Sequence, residues 1–118
     1  MTSKRPNPES FLPLTFAVYH ILVALADRER HGYGIIREVE AQTGGRLRMA
    51  PGTLYGAINR LTRDGLIAES DERPDPELDD KRRRYYRLTD LGRQVATAEA
   101  RRMDLLVRIA RAKALLPA

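Results

Sequence analysis

The feature that most narrows the fold of this chain is a change of period partway along it. Up to Gly65 the apolar residues recur three and four apart; over Leu66 to Ser70 and Arg84 to Leu88 that period gives way to a strand-like one. Leu14, Ala17, Val18, Ile21, Leu22 and Leu25 form one apolar helical face. Pro13 suits the first turn of that helix, and Asp27 to Arg30 return the chain to solvent. A second helix fits Tyr33 to Thr43, with Tyr33, Ile36 and Val39 on one face and Gly44-Gly45 as the stop. A third begins at Ala50-Pro51, keeps its period through Leu54, Ile58 and Leu61, and closes at Gly65. Leu66 to Ser70 and Arg84 to Leu88 then read as strands, with Tyr86 and Leu88 on one face of the second. Asp71 to Arg83, with Pro74 and Pro76, is too long for a tight hairpin turn and is expected to be an exposed, flexible tip. Thr89-Asp90 offers an N-cap for a final long helix running toward Leu116, with Pro117 as its stop.

Short connections between the three helices favour a compact cluster over extended hairpins. Three helices, a two-stranded wing and a long C-terminal helix make a mostly α fold with a small β-ribbon, the winged helix-turn-helix. The order of elements carries this, since each piece alone is weak. It divides the chain into a mobile arm over residues 1–12, a winged domain over 13–89 and a C-terminal helix over 90–118.

A length of 118 residues suffices for one such domain, and 42% hydrophobic with 31% charged residues supports a buried core. The formal charge of +5, nearly all arginine, favours a polyanion partner. The absence of cysteine excludes a disulfide framework, a Cys-ligated zinc and a thiol nucleophile, and fits a reducing cytoplasm. Lys4 and Arg5 precede no uninterrupted apolar stretch, and Phe16 to Ala26 is too short to cross a bilayer. Neither a signal peptide nor a membrane partner is expected.

An enzyme is not expected either. His20 and His31 lie in different elements without metal-ligand spacing, and neither has a Ser or Cys partner in the pattern. His20 reads as a packed or partly exposed helix residue and His31 as a turn residue between the first two helices. Gly32-Tyr33-Gly34 follows no strand and lacks the third glycine of a dinucleotide loop. No cofactor is implied.

Several motifs resemble those of the PadR-type transcriptional regulators. They are His31-Gly32-Tyr33-Gly34, Pro51-Gly52-Thr53-Leu54-Tyr55, Arg60-Leu61, Asp64-Gly65-Leu66-Ile67, and the run Arg84-Tyr85-Tyr86-Arg87-Leu88-Thr89-Asp90-Leu91-Gly92. The resemblance spans about Leu14 to Gly92. It implies a repressor-like homodimer on double-stranded DNA, of the compact subfamily in which a single C-terminal helix makes the dimer. It also implies a small-molecule effector, as some members respond to phenolic compounds or drugs near the dimer interface. No aromatic clamp stands out here, and core packing is the expected role of Phe11, Phe16 and Tyr19. One departure is the acidic wing tip, where Glu69, Asp71, Glu72, Asp75, Glu77, Asp79 and Asp80 precede the basic run.

In a helix-turn-helix the start of the third helix approaches base edges. Gly52, Thr53, Tyr55 and Gly56, with Asn59 and Arg63 further along, are therefore the candidate readers; Arg60 reads equally as a solvated side chain. Glycine at 52 and 56 allows close approach. Arg48 and the wing's Lys81, Arg82, Arg83 and Arg84 are candidate phosphate contacts, because carboxylates keep the tip itself off the backbone. Along the last helix, Leu91, Val95, Ala98, Arg102, Leu105, Ile109, Ala112 and Leu116 form a heptad seam broken at Arg102, and Leu106 widens it. That seam is the candidate dimer surface. The sequence is also compatible with a winged-helix module that binds a protein partner, a regulator of another winged-helix family and a basic membrane-surface protein.

Overall fold

The computed structural model describes residues 6–70 and 84–118. In chain order it contains α1 (Phe16–Ala24), β1 (Arg30–His31), α2 (Gly32–Gln42), α3 (Pro51–Arg63), β2 (Ile67–Glu69), β3 (Tyr85–Leu88) and α4 (Asp90–Ala112). The expected flexible tip lies outside the described residues. Ile21, Leu22, Ile35, Leu54, Ile67 and Val95 are fully buried and join all four helices and the sheet in one core. This is the expected winged helix-turn-helix with its long last helix.

The local chemistry sets the boundaries. The Thr15 hydroxyl caps α1 by accepting from the Val18 N–H at 3.2 Å, so the helix starts beyond Pro13. Pro51 opens α3, where its missing N–H costs nothing. Gly65 ends it at φ +80°, which only glycine adopts without strain, and Leu66 N–H closes the turn on the Leu61 carbonyl at 2.9 Å.

The sheet has three strands in the order β1-β3-β2, all antiparallel, with Arg30 opposite Tyr86 and Ile67 opposite Leu88. β1 is an addition to the expected ribbon. Two residues are too short for an alternating pattern to register, and His31 reads as a turn residue from sequence. His31 in fact ends β1 and caps α2, its Nδ1 accepting from the Gly34 N–H at 3.0 Å. Arg30 donates to the Ala24 carbonyl at 2.7 Å and pairs with Glu38 at 3.6 Å, stitching α1 to α2.

Three further expectations change. Tyr33 is 63% exposed, because α2 buries Gly32, Ile35 and Val39 in place of the face through Tyr33. Adjacent isoleucines at 35 and 36 made two helical faces about equally apolar. Residues 8–11 form a 3-10 turn packed on α4, where a free arm was expected. Phe11 and Leu12 gain burial there at the edge of the core. Phe16, expected inside, is 63% exposed and stacks edge-on against His20.

The N-terminal segment is tied down by Glu99, whose carboxylate is all but fully buried. It accepts from the Leu14 N–H at 2.6 Å and from Arg102 Nε at 2.5 Å. Arg102, the break in the heptad seam, thus folds back on its own helix. Its hydrogen bond holds the Glu99 carboxyl below the usual range; burial opposes this and the Leu14 N–H assists. A carboxyl with a lowered folded pKa stabilises the fold above its unfolded value near 4.5, and that stability is lost as pH falls through the folded value. Glu99→Gln is therefore expected to lower stability at neutral pH by about 1–2 kcal/mol. Denaturant melts should show the gap to wild type closing in acid.

Candidate nucleic-acid interface

α3 is amphipathic in the way a reading helix requires. Leu54, Ala57, Ile58 and Leu61 face the core, which turns Gly52, Thr53, Asn59, Arg60 and Arg63 outward. An added Cβ at Gly52 or Gly56 would meet nothing within 4 Å, so both glycines border open space. Close approach of an outside partner along this edge is unobstructed. Tyr55 differs from the other candidates. It is half-buried, and its ring lies over Gly32, where a side chain would overlap the phenol hydroxyl. Tyr55 therefore fixes α3 against the first turn of α2 while remaining at the rim of the exposed face.

The wing stem meets this helix at its far end. Asn59, Thr62 and Arg63 of α3 line a cleft of about 370 Å³ with Glu69, Arg84 and Tyr86 of the sheet. Three of the sequence candidates, Asn59, Arg63 and Arg84, thus come together. Arg84 pairs with Glu69 at 3.5 Å across the ribbon, both side chains half-exposed. Exposed pairs of this kind contribute little, so Arg84 can exchange its partner for a phosphate at small cost. Tyr86 is buried beneath, and that burial, with the nearby Tyr55 and Glu69, raises its pKa above 10.0 while Arg84 opposes. The phenol stays neutral.

Lys81, Arg82 and Arg83, with the acidic run from Asp71 to Asp80, lie outside the described residues. Arg48 is exposed, but its guanidinium grips Glu40 through Nε at 3.2 Å and Nη2 at 3.0 Å. It must share or release that carboxylate to reach a phosphate. Arg87, not singled out from sequence, is exposed on β3. The alternation that sends Tyr86 inward turns it out. Tyr85 is half-buried edge-on against His31 at 5.3 Å, so it is less free than its strand phase suggests.

The proposed seam on α4 divides into two parts. Val95 is fully buried in the protomer's own core, and Leu91 and Ala98 are half-buried. Val95 is therefore not available to a second chain. Beyond Arg102 the helix leaves the domain: Leu105 is 53% exposed, Leu106 51% and Ile109 43%, with Ala112 exposed at the last turn. Leu116 is exposed but lies past the end of α4, so it extends the patch without continuing the helical seam. Side chains of this size are seldom left together in water on a monomer.

Among the described residues no group of His, Cys, Asp or Glu is placed to hold a metal ion, and no helix is long and apolar enough to cross a membrane. An exposed helix carried on a three-helix cluster and flanked by a β-ribbon defines the winged helix-turn-helix class of proteins. Residues 21–98 match the family described as "Transcriptional regulator PadR-like family". The chain belongs to that family of transcriptional regulators, which is not a family of enzymes.

Among its relatives is Transcriptional regulator Rv3488 of Mycobacterium tuberculosis, 38% identical over 89 residues, which cover 75% of this chain and 77% of that one. Among solved structures, RosR of H. salinarum superposes with a TM-score of 0.62 at 26% identity, covering 90% of this chain and 99% of RosR. PadR of Bacillus subtilis, solved in complex with operator DNA, superposes with a TM-score of 0.60 at 26% identity, covering 73% of this chain and 47% of that one.

Proposed function

We propose that this regulator is a homodimeric, sequence-specific repressor that binds a roughly palindromic operator in double-stranded DNA. The observation that carries the reading is the open outer face of α3, with Gly52, Thr53, Asn59 and Arg63 exposed, Gly56 half-buried but bordering open space, and Arg84 at its end. Thr53 and the arginines would hold phosphates, and Asn59 has the paired donor and acceptor that match adenine in the major groove. The exposed end of α4, from Leu105 to Ala112, would join two copies and set the distance between their reading helices. The operator-bound PadR of Bacillus subtilis supports the same reading.

Release of the operator by a small molecule belongs to this proposal. A groove of about 610 Å³ between the N-terminal turn and α4, bordered by Asn7, Glu9, Arg93, Gln94, Thr97 and Arg101, is large enough for a drug-sized effector.

The test is fluorescence anisotropy with the duplex upstream of the protein's own gene against a random duplex of equal length. Tight, salt-sensitive binding to the upstream duplex, poorly competed by the random one, is expected. Asn59→Ala should remove about 1–3 kcal/mol of that discrimination while leaving random-duplex binding unchanged. Equal affinity for both duplexes would overturn the reading in favour of a winged module with a protein partner.

A further inference from the structure

α4 carries a stripe of polar side chains on its wall of the groove it forms with the N-terminal turn. Asp90, Gln94, Thr97 and Arg101 recur four, three and four residues apart, so they share one helical face, and all four are exposed. None of them makes a side-chain hydrogen bond or ion pair with another described residue. The neighbouring arginines differ. Arg93 holds the Ala26 carbonyl through Nη2 at 2.9 Å, and Arg102 is held by the Glu99 carboxylate. Across the groove stand Pro8 and the exposed Glu9, whose carboxylate also has no cation among the described residues.

The lining decides the class of ligand. Among the described residues Pro8 and Ala98 are the only apolar ones that border this groove. Sites for aromatic drugs and phenols are mostly apolar with a few polar groups, and here that balance is reversed. Carboxylates and guanidinium groups both face the space, so a ligand of one sign would meet repulsion from half of them. A dipolar ligand satisfies both. Along the helix Asp90 and Arg101 stand about 16 Å apart, and four amino acids in extended form span about 14 Å.

We propose that this groove binds a short peptide of about four residues with both ends free. Its carboxylate would meet the Arg101 fork, and its ammonium the carboxylates of Asp90 and Glu9. Gln94 and Thr97, midway along the stripe, each have a donor and an acceptor for the amide groups between the ends. For its consequence at the operator the proposal rests on the effector reading, whose ligand class it names. Two tethers that orient α4 lie beside the groove: Arg93 joins it to the Ala26 carbonyl, and Glu99, next to Ala98, to the Leu14 N–H at 2.6 Å. A ligand bridging the N-terminal turn and α4 therefore bears on the joint between that helix and the reading domain.

The experiment is calorimetric titration of the full chain, without DNA, with tetra-alanine and with the same peptide acetylated and amidated at its ends. Saturable binding of one free peptide per chain is expected, weakened about tenfold or more by capping both ends. Arg101→Gln should weaken the free peptide about fivefold and Glu9→Gln about threefold, with the capped peptide unaffected by either. Neither side chain belongs to the core, so both variants should melt as wild type does. No saturable binding of tetra-alanine, equal affinity for the capped form, or wild-type affinity in both variants would each overturn the proposal. Anisotropy with the upstream duplex then reads the consequence separately, and release of the duplex by tetra-alanine is expected. Peptide binding that leaves operator affinity unchanged would remove the effector reading and leave the peptide site standing.

Discussion

Gly92→Ala is expected to be the most damaging single methyl group that can be added to this protein. Gly92 sits in the first turn of α4, and a Cβ there would fall on the Leu66 carbonyl, with the Leu88 side chain 2.9 Å away. The obstacle is backbone, which cannot rotate aside as a side chain can. That backbone is also committed elsewhere: the Leu66 carbonyl accepts from Thr89 N–H at 3.1 Å, and the Thr89 hydroxyl donates to the Gly65 carbonyl at 2.6 Å while accepting from Gly92 N–H at 3.0 Å. Relieving the clash means parting α4 from the turn that ends α3 and breaking this joint. A cost of about 3 kcal/mol or more is expected, at the upper end for overpacking. Thermal denaturation measures it directly. Where the variant stays folded, α4 and α3 no longer hold their native relation, and operator affinity should fall although no DNA-facing residue has changed.

The second large effect concerns assembly. Leu105 and Ile109 are half-exposed, four residues apart on one face of α4, beyond the last residue that helix commits to the core. Placing carboxylates at both, Leu105→Glu with Ile109→Glu, should abolish self-association by burying like charges in any pairing of these helices. The protomer should remain folded, since neither side chain contributes to the core cluster. Light scattering is expected to return the monomer mass with an unchanged far-ultraviolet spectrum. Affinity for a two-half-site operator should drop by about 10²–10⁴, the gain that linking two binding modules supplies. An intact dimer carrying both substitutions would place the interface elsewhere.

Much of this architecture is legible in the sequence because it is written in periods and caps. The third helix is the clearest case: Pro51, the spacing of Leu54, Ile58 and Leu61, and Gly65 delimit it within a residue. The alternation around Tyr86 places one tyrosine inside and Arg87 outside. What the sequence obscures has physical causes. Ile35 and Ile36 are equally apolar, so periodicity fits a face through Tyr33 as well as one through Gly32, and only the packing of Tyr55 on Gly32 selects the second. β1 is two residues long and exists because β3 has a free edge there, a long-range fact with no local signal. The apolar spacing of α4, which resumes after its break at Arg102, conceals the point where the helix passes from its own core, at Val95, to an exposed surface, at Leu105.

The candidate site divides similarly. The outward set on α3 follows from helical phase alone, whereas the grip of Arg48 on Glu40 and the seat of Tyr55 on Gly32 depend on tertiary contacts. Several motif residues that carried the family resemblance prove to be joints of the scaffold. His31 caps α2, Gly32 receives Tyr55, Gly65 turns the chain, and Thr89 with Gly92 locks α4 onto that turn. These residues fix the geometry in which the outer face of α3 is presented.

Whether two copies present their third helices together to one operator is tested most directly by footprinting the upstream duplex while measuring how many chains it binds. The expected result is two protected half-sites on one face of the duplex, their centres about one helical turn or a whole number of turns apart, with two chains bound per duplex. A single protected half-site saturated by one chain, or uniform protection that random DNA competes equally well, would contradict it.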